Sequence, residues 1–321
     1  MRATVAVPRT SRLTTPLGVG MATLMREPSA KRQQRLLAVA YEAGFRHFDV
    51  APSYGLGTAE KVLGRFLRTQ PDGVTVATKV GITARPAAAL ARAINRPARA
   101  LVRRFPGLRG RATQAIGTAV HASTDFSHAN RTRSLEQSLR ALGTGRIDLL
   151  LLHEVQPSDL HDSSVVDWVC TQRDRGIVAC IGIATSPAAA AAIVAAHPGV
   201  FDVAQTPSQV LAPAGEYLPR GTVPLRVSHS VLATPHALIA RRMSSDAAWS
   251  RALSERAGRD LSAPGQLARL LLALGHHENP GGIVLLGASK PEHLSAAPDS
   301  VGAFDDQRLA DVAAFLSQSF R

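Results

Sequence analysis

The sequence contains few cysteines, few aromatic residues and no long apolar run. Two cysteines, Cys170 and Cys180, are too few for a disulfide framework or a cysteine zinc site. No segment reaches the roughly 18 consecutive apolar residues that a membrane-spanning helix requires. The N-terminal residues lack the apolar core and the small-residue cleavage site of a secretory signal. These absences predict a cytoplasmic protein with no membrane partner.

Acidic residues are outnumbered, and lysine is rare among the basic ones. The chain has 37 Lys and Arg against 24 Asp and Glu, a net charge of +13, and only four of the basic residues are lysine. Such a balance is typical of proteins that bind a polyanion. The excess is local, however, because residues 85–111 hold eight arginines and no acidic residue lies between Gly81 and Thr124. An Arg-rich insertion explains this better than nucleic-acid binding, which stays an alternative.

Signature motifs of several enzyme classes are also missing. No G-x-G-x-x-G lies between a strand and a helix, and Gly55-Leu56-Gly57 is only a lone G-x-G, which argues against an open dinucleotide-binding sheet. No G-x-S-x-G nucleophile turn occurs. No H-x-H ends a strand and no H-E-x-x-H occurs, so we predict no metal site.

What the chain does contain is a regular alternation of apolar runs and amphipathic segments. Its 321 residues are 45% hydrophobic, enough for a sizeable core. Most apolar runs are continuous, as in parallel strands that are buried on both faces. The predicted strands are 17–22, 45–50, 74–80, 147–153, 179–184, 203–206, 225–230 and 283–287. The predicted helices are 30–43 (capped by Ser29 and ended by Gly44), 58–67, 131–142, 159–175, 187–196, 246–256, 264–275 and 305–319.

Eight strands, each followed by a helix or a long connection, predict an α/β fold of the (β/α)8 TIM-barrel type. We expect residues 1–321 to form one such domain. The segment 81–130 is then an Arg-rich insertion after the third strand, and we expect it to lie over the barrel mouth.

Polar side chains follow three neighbouring strands of this predicted barrel. Asp49 ends the second strand and Tyr54 lies in the loop after it, Lys79 ends the third, and His153 ends the fourth. Functional residues of such barrels lie at these carboxyl ends. A phenol is a poor acid at neutral pH, but an adjacent ammonium held by a carboxylate favours its anion. An imidazole can donate a hydrogen bond to a carbonyl oxygen on which charge builds.

This set is suited to protonating a carbonyl that is being reduced. None of the four groups is a hydride source, so a nicotinamide cofactor must supply the hydride. Each residue also has a structural explanation when it is taken singly: Asp49 as a helix cap, Lys79 as a loop lysine, His153 as a core histidine and Tyr54 as a rim aromatic. Their joint position at adjacent strand ends favours the catalytic interpretation.

The sequence resembles the aldo-keto reductase family. The stretches that carry the resemblance are LTTPLGVGMATL, GFRHFDVAPSYGLGTAEKVLGRFL, VTVATKVG, RSLEQSLRALGTGRIDLLLLHE, ACIGIATS, FDVAQTP and GIVLLGASKPEHL. The resemblance implies a catalytic tetrad of Asp49, Tyr54, Lys79 and His153, with Tyr54 as the general acid and NAD(P)H as the hydride donor.

By the same resemblance, the cofactor-binding residues are Gly20, Met21, Asp49, Thr185, Gln205, His229, Ser230, Leu232, Ser289, Lys290 and His293. Several of them depart from the family pattern. Thr185 follows an alanine where Ser-Asn is usual, His229 replaces an aromatic ring that stacks on the nicotinamide, and His293 replaces an arginine. A Glu-Asn pair that contacts adenine is here Ala296-Ala297. The cation of Lys290 favours NADP(H) over NAD(H) by charge complementarity with a phosphate.

The predicted function is therefore NADPH-dependent reduction of a small carbonyl compound, an aldehyde or a ketone. The departures around the cofactor leave one alternative open, a nucleotide-binding regulatory or scaffold barrel with little turnover. The basic segment favours an anionic or phosphorylated carbonyl substrate. The sequence carries no sign of oligomeric state or of the direction of the reaction in the cell.

Overall fold

Eight parallel strands form a closed barrel at the centre of the structure. The computed structural model describes residues 4–69, 73–82, 124–211, 218–219 and 221–320. A hairpin of β1 (Val5–Ala6) and β2 (Leu13–Thr14) precedes the barrel, whose strands close in the order β10-β3-β4-β5-β6-β7-β8-β9. The barrel strands are β3 (Leu17–Gly20), β4 (His47–Asp49), β5 (Thr75–Val80), β6 (Ile147–His153), β7 (Val178–Ala184), β8 (Val203–Pro207), β9 (Leu225–His229) and β10 (Ile283–Leu286). The predicted (β/α)8 fold is confirmed.

Helices surround this barrel. They are α1 (Met21–Leu24), α2 (Ala30–Ala43), α3 (Ala59–Leu67), α4 (His128–Leu142), α5 (Ser164–Asp174), α6 (Pro187–Ala196), α7 (Ala233–Ser245), α8 (Ala247–Ala257), α9 (Gln266–Glu278), α10 (Pro291–Ala296) and α11 (Asp306–Ser319). The Ser29 hydroxyl accepts a hydrogen bond from the Arg32 amide at the start of α2, and Gly44 ends that helix at a φ of 102°. No helix within the described ranges has the length and apolar character needed to cross a bilayer.

Differences from the sequence prediction lie mainly at boundaries and in short elements. The predicted helix 159–175 is divided into a 3₁₀ turn, Pro157–Leu160, and α5, while the predicted helix 264–275 begins later and runs on to Glu278. The hairpin β1–β2 and helices α1, α7 and α10 were not predicted. Two-residue strands and six-residue helices are too short to produce a hydrophobic period, which explains the first and last of these omissions.

The hairpin β1–β2 closes the end of the barrel where the strands begin. Val5 and Val7 belong to the same buried cluster as Leu225 and Ile283, the first residues of β9 and β10. Arg9, between the two hairpin strands, donates from Nε to Oδ1 of Asp202 at 2.5 Å. These contacts tie the N-terminal residues to the barrel floor.

Replacing Asp202 by alanine is expected to lower the free energy of unfolding by about 2–4 kcal/mol. Asp202 is only 2% exposed, and its Oδ2 also accepts the Ile181 amide at 3.1 Å, so the substitution leaves a buried N–H without a partner. Urea denaturation measures the loss. Asp174→Ala is the matched control, because that carboxylate is 74% exposed and pairs with Arg173 at 3.7 Å; such pairs contribute about 1 kcal/mol or less. Equal losses in both variants would contradict this role of Asp202.

The predicted insertion 81–130 falls largely outside the described residues, as do the arginines of 85–111. At its two ends, Ile82 and Thr124 form an antiparallel bridge, so the chain leaves and re-enters the barrel at one point. Gly81 has a φ of 118°, and a Cβ built there would lie 2.4 Å from Cε1 of Phe126. Residues 128–130 already belong to α4. The single-domain assignment and a position of the insertion over the barrel mouth stay predictions.

Candidate active site

A cavity of about 340 Å³ opens at the carboxyl ends of the barrel strands. All four predicted catalytic residues line it, and they come from β4, the loop after β4, β5 and β6. Its other lining residues are Gly20, Ala22, Thr23, Arg26, Glu154, Ala184, Gln205, His229, Ser230, Val231, Leu232, Ala233, Leu285, Leu286 and Gly287. The predicted convergence of the strand ends is therefore present in the structure.

A buried ion pair between Lys79 and Asp49 lies at the base of this cavity. Asp49 pairs with Ala77 across β4 and β5, and Lys79 follows two residues later on the same face of β5. The Lys79 Nζ donates to both carboxylate oxygens of Asp49 at 2.7 Å and to the Val50 carbonyl at 3.2 Å. Both residues are only 2% exposed. Removing either partner would therefore leave the other charge buried without compensation.

Gln205 extends this polar group towards β8. Its Nε2 donates to Oδ2 of Asp49 at 3.0 Å. Its Oε1 is buried and has no hydrogen-bond partner in the part of the chain that the structure describes. A buried amide oxygen without a donor is costly unless a ligand supplies one. The end of β8 thus presents an unused acceptor beside the ion pair.

Tyr54 and His153 stand above the ion pair. The Lys79 Nζ lies 5.0 Å from the centroid of the Tyr54 ring, and the rings of Tyr54 and His153 meet edge to face with centroids 6.0 Å apart. Tyr54 begins a 3₁₀ turn in which Gly55 has a φ of 57°. A Cβ at Gly55 would lie 2.5 Å from Cε of Met25, so a glycine is needed where the Tyr54 turn packs against the loop after β3.

The electrostatics of the site differ in one respect from the expectation. Burial raises the pKa of Tyr54, and the charge of Lys79 only partly offsets that effect. The sequence predicted the influence of the ammonium but not the larger influence of burial. For Lys79 itself, burial lowers the pKa, but the charge of Asp49 and the interactions with Asp49 and Tyr54 outweigh that effect, so its pKa is raised. The site therefore holds a neutral phenol beside a charged ammonium.

His153 is neutral at physiological pH. Burial, and next the charge of Lys79, lower its pKa to about 3, against an opposing effect of Asp49. A neutral imidazole has one N–H donor and one acceptor nitrogen. His153 can thus donate a hydrogen bond to a ligand oxygen but does not supply a positive charge there.

Backbone strain is concentrated around the same cavity. Leu56, Glu154 and Ser230 are non-glycine residues with φ between 55° and 61°, and they follow Tyr54, His153 and His229 within two residues. A hydrogen bond of 2.9 Å joins Nδ1 of His229 to the Ser230 hydroxyl. Non-glycine residues in this conformation cluster at functional sites, where the surrounding structure holds them.

The predicted cofactor residues divide into three groups. Those that line the cavity are Gly20, Asp49, Gln205, His229, Ser230 and Leu232. Two are buried outside its lining: Met21 is 0% and Thr185 3% exposed, and the Thr185 hydroxyl lies 3.5 Å from Nε2 of Gln156. The exposed residues Ser289, Lys290 and His293 lie beyond the end of β10, at the start of α10, and are not among the lining residues.

Three polar lining residues were not predicted: Thr23, Arg26 and Glu154. The strand-end rule that found His153 also applies to Glu154, its neighbour in the chain. Thr23 and Arg26 follow the first barrel strand, where the sequence prediction assigned no polar function. Among the described residues no group of histidine, cysteine or acidic side chains is arranged to hold a metal ion.

A second buried histidine lies on the same face of β4, below Asp49. His47 is 0% exposed, and its Nδ1 is 2.9 Å from the Thr75 hydroxyl. Burial lowers its pKa to about 4, whereas an unfolded histidine titrates near about 6.5. Between these values the unfolded chain binds more protons, so the unfolding free energy must fall as the pH decreases through this range.

Below about pH 6.5 we expect His47 to make the unfolding free energy depend on pH, with a slope of up to about 1.4 kcal/mol per pH unit. Urea denaturation of the wild type and of His47→Gln at several pH values measures it, and the slope must be smaller in the variant. Thr75→Val is the control, because it removes the same hydrogen bond but keeps the imidazole. An unchanged slope in His47→Gln would contradict the assignment.

Comparison with known proteins finds relatives of this chain by sequence and by fold. A family model described as the Aldo/keto reductase family matches residues 16–208. A D-threo-aldose 1-dehydrogenase from a Pseudomonas species is 35% identical over 173 residues, which are 52% of this chain and 49% of that protein. A pyridoxal 4-dehydrogenase from Microbacterium luteolum is 30% identical over 174 residues, 53% of this chain and 48% of that protein.

The chain thus spans about half the length of these curated relatives. Among solved structures, an aldo-keto reductase from Klebsiella pneumoniae in complex with NADPH is 18% identical, with a TM-score of 0.67 over 99% of this chain and 96% of that one. A likeness at that identity concerns the fold alone.

Proposed function

Because the chain belongs to the aldo/keto reductase family, we propose that it is an NADPH-dependent oxidoreductase that reduces a small aldehyde or ketone to an alcohol. One observation carries the proposal. Asp49, Tyr54, Lys79 and His153 line a single cavity at the carboxyl ends of the barrel strands. By reversibility the same site oxidises the corresponding alcohol, which agrees with the dehydrogenase names of the two relatives.

The residues of the cavity suit proton transfer to a carbonyl oxygen. The Tyr54 hydroxyl donates the proton as charge develops on that oxygen. Lys79, fixed by Asp49 at 2.7 Å, stabilises the phenolate that Tyr54 becomes. His153 donates a hydrogen bond that orients the carbonyl. The nicotinamide supplies the hydride when it is bound.

The cavity wall also fits a nicotinamide. The unpartnered Oε1 of Gln205 is an acceptor for the amide group of that ring. His229 and Ser230, which are hydrogen-bonded to each other at 2.9 Å, lie on the same wall. We propose that Gln205, His229, Ser230 and Leu232 hold the nicotinamide end of the cofactor. Ser289, Lys290 and His293 bind the 2′-phosphate of NADP(H).

A titration of reduced-nicotinamide fluorescence tests the cofactor assignment. We expect saturation by NADPH at micromolar concentrations and weaker binding of NADH. Lys290→Ala should weaken NADPH binding about tenfold and change NADH binding little, because the lost contact is a charge-assisted hydrogen bond to a phosphate. Lys31→Ala removes the same charge at the start of α2 and is the control. Equal losses for both cofactors would contradict the role of Lys290.

The alternative is a nucleotide-binding regulatory or scaffold barrel with little turnover. The substitutions at Thr185, His229 and Ala296-Ala297 favour it. Saturable NADPH binding without reduction of any member of a broad carbonyl panel would support this alternative against the reductase. The cytoplasmic location belongs to the main proposal and is supported by the two free thiols of Cys170 and Cys180.

A further inference from the structure

Glu154 lies at the rim of the cavity. Its backbone is held by hydrogen bonds, and its carboxylate has no partner among the described residues. It follows His153 directly and lines the cavity. Its backbone amide donates to the Ala184 carbonyl at 2.7 Å, and its carbonyl accepts from Nε2 of Gln156 at 3.3 Å. Its φ is 55°, a conformation that costs free energy for a residue other than glycine. The backbone is thus held in a strained position that presents this side chain at the mouth.

Nothing in the described part of the chain neutralises the Glu154 carboxylate. It is exposed and forms no hydrogen bond or ion pair with another described residue. Its charge nevertheless reaches the reacting groups, since it is one of the charges that raise the pKa of Tyr54. A ligand held between Tyr54 and His153 therefore meets the negative charge of Glu154 on the His153 side of the cavity.

Arg26 carries the opposite charge on another side of the cavity. It lies in the loop after β3, whereas Glu154 follows β6, and β4 and β5 separate these strands around the barrel. No ion pair joins Arg26 to another described residue. Position thus distinguishes the two charges, because Glu154 adjoins His153 in the chain, whereas Arg26 adjoins Met25, which packs against the turn that begins at Tyr54.

Besides its charged and polar residues, the cavity is lined by small aliphatic ones. The described lining contains leucine, valine, alanine and glycine, with Tyr54 as its one phenyl-type ring, in a volume of about 340 Å³. These walls suit a short carbon chain. Because Lys79 is paired with Asp49, Arg26 is the one lysine or arginine of the described lining that has no ion pair.

We propose that Glu154 is a specificity-determining residue that selects short carbonyl substrates with a hydroxyl within a few carbon atoms of the carbonyl and rejects those with a carboxylate or phosphate at that position. The inference rests on the proposed reductase function. It runs against the anionic substrate suggested by the basic composition, because the unpaired charge beside His153 is negative. The carboxylate accepts a hydrogen bond from a substrate hydroxyl and repels a substrate anion.

Three aldehydes of equal chain length test the proposal: 4-hydroxybutanal, butanal and 4-oxobutanoate, each with NADPH. We expect the wild type to prefer 4-hydroxybutanal over 4-oxobutanoate in kcat/KM. Glu154→Gln should shift that ratio towards the anion by about tenfold to a hundredfold, as expected for removal of one nearby charge. Glu136→Gln, on the outer face of α4 with a side chain 58% exposed, is the matched control and should leave the ratio within about twofold. A ratio that is unchanged in Glu154→Gln would overturn the proposal.

A binding measurement makes the test independent of turnover. Calorimetric titration of the NADPH-loaded protein with 1,4-butanediol and 4-hydroxybutanoate, the alcohols of the same series, should show that Glu154→Gln gains affinity for the anion relative to the diol. If the wild type turns over none of the aldehydes but this relative affinity still shifts, the reductase function fails and the role of Glu154 holds. If turnover is present and neither ratio shifts, the role of Glu154 fails alone. If neither alcohol binds to either protein, the proposal is overturned as well.

Discussion

Tyr54→Phe is expected to lower kcat for carbonyl reduction about 10²- to 10⁴-fold, the usual contribution of a positioned general acid. The substitution removes the proton donor but keeps the ring that packs edge to face on His153 with centroids 6.0 Å apart. NADPH affinity should therefore remain within about twofold, since no cofactor contact is assigned to the phenol. Steady-state kinetics and a fluorescence titration of the same preparations measure both quantities.

Retained turnover in Tyr54→Phe would remove Tyr54 from the mechanism. A loss of NADPH binding that parallels the loss of turnover would instead indicate a disturbed cavity. His153→Gln is an informative companion, because His153 is neutral, with a pKa lowered by burial to about 3. It should reduce kcat less than Tyr54→Phe does, since a glutamine amide can still donate a hydrogen bond to the carbonyl oxygen.

Breaking the Lys79–Asp49 pair is expected to have the largest effect on stability. Lys79→Met leaves the Asp49 carboxylate, 2% exposed, with the Gln205 amide at 3.0 Å as its only side-chain donor among the described residues. Asp49→Asn leaves a buried ammonium. Each single substitution should lower the free energy of unfolding by about 3–5 kcal/mol, the cost of an uncompensated buried charge. Each should also lower kcat about 10²- to 10³-fold, because the phenolate loses its stabilising cation.

The double variant Asp49→Asn with Lys79→Met separates these two effects. It contains no buried charge at this position, so most of the lost stability should return. Turnover should not return, because the cation beside Tyr54 is still absent. Urea denaturation and steady-state kinetics on the four proteins form a complete cycle. Recovery of turnover together with stability would mean that the pair acts only as a structural element.

The barrel, and the convergence of the proposed catalytic residues in one cavity, were predictable for one physical reason. Parallel strands that are buried on both faces have continuous apolar sequences, and a polar residue at the carboxyl end of such a sequence is easy to recognise. Asp49, Lys79 and His153 all meet this description. Register then brings them together, since Asp49 pairs with Ala77 and Lys79 follows on the same face. Local sequence was therefore sufficient to predict their convergence.

What the sequence did not predict depends on distances between remote segments. The sign of the pKa change at Tyr54 depends on the balance between two effects: burial of the phenol, which raises the pKa, and the nearby charge of Lys79, which lowers it. The ion pair between Arg9 and Asp202 joins residues 193 positions apart. The importance of Glu154 depends on its carboxylate having no partner in the described structure, which spacing along the chain does not indicate.

Isotope transfer from the cofactor tests the central claim most directly. NADPH carrying deuterium at both C4 positions of the nicotinamide is incubated with the protein and 4-hydroxybutanal, and the alcohol product is analysed by mass spectrometry. The proposed mechanism predicts one deuterium on the former carbonyl carbon of the wild-type product, and at most trace product from Tyr54→Phe. An alcohol without deuterium, or NADPH that binds but stays unoxidised with every carbonyl compound offered, would contradict it.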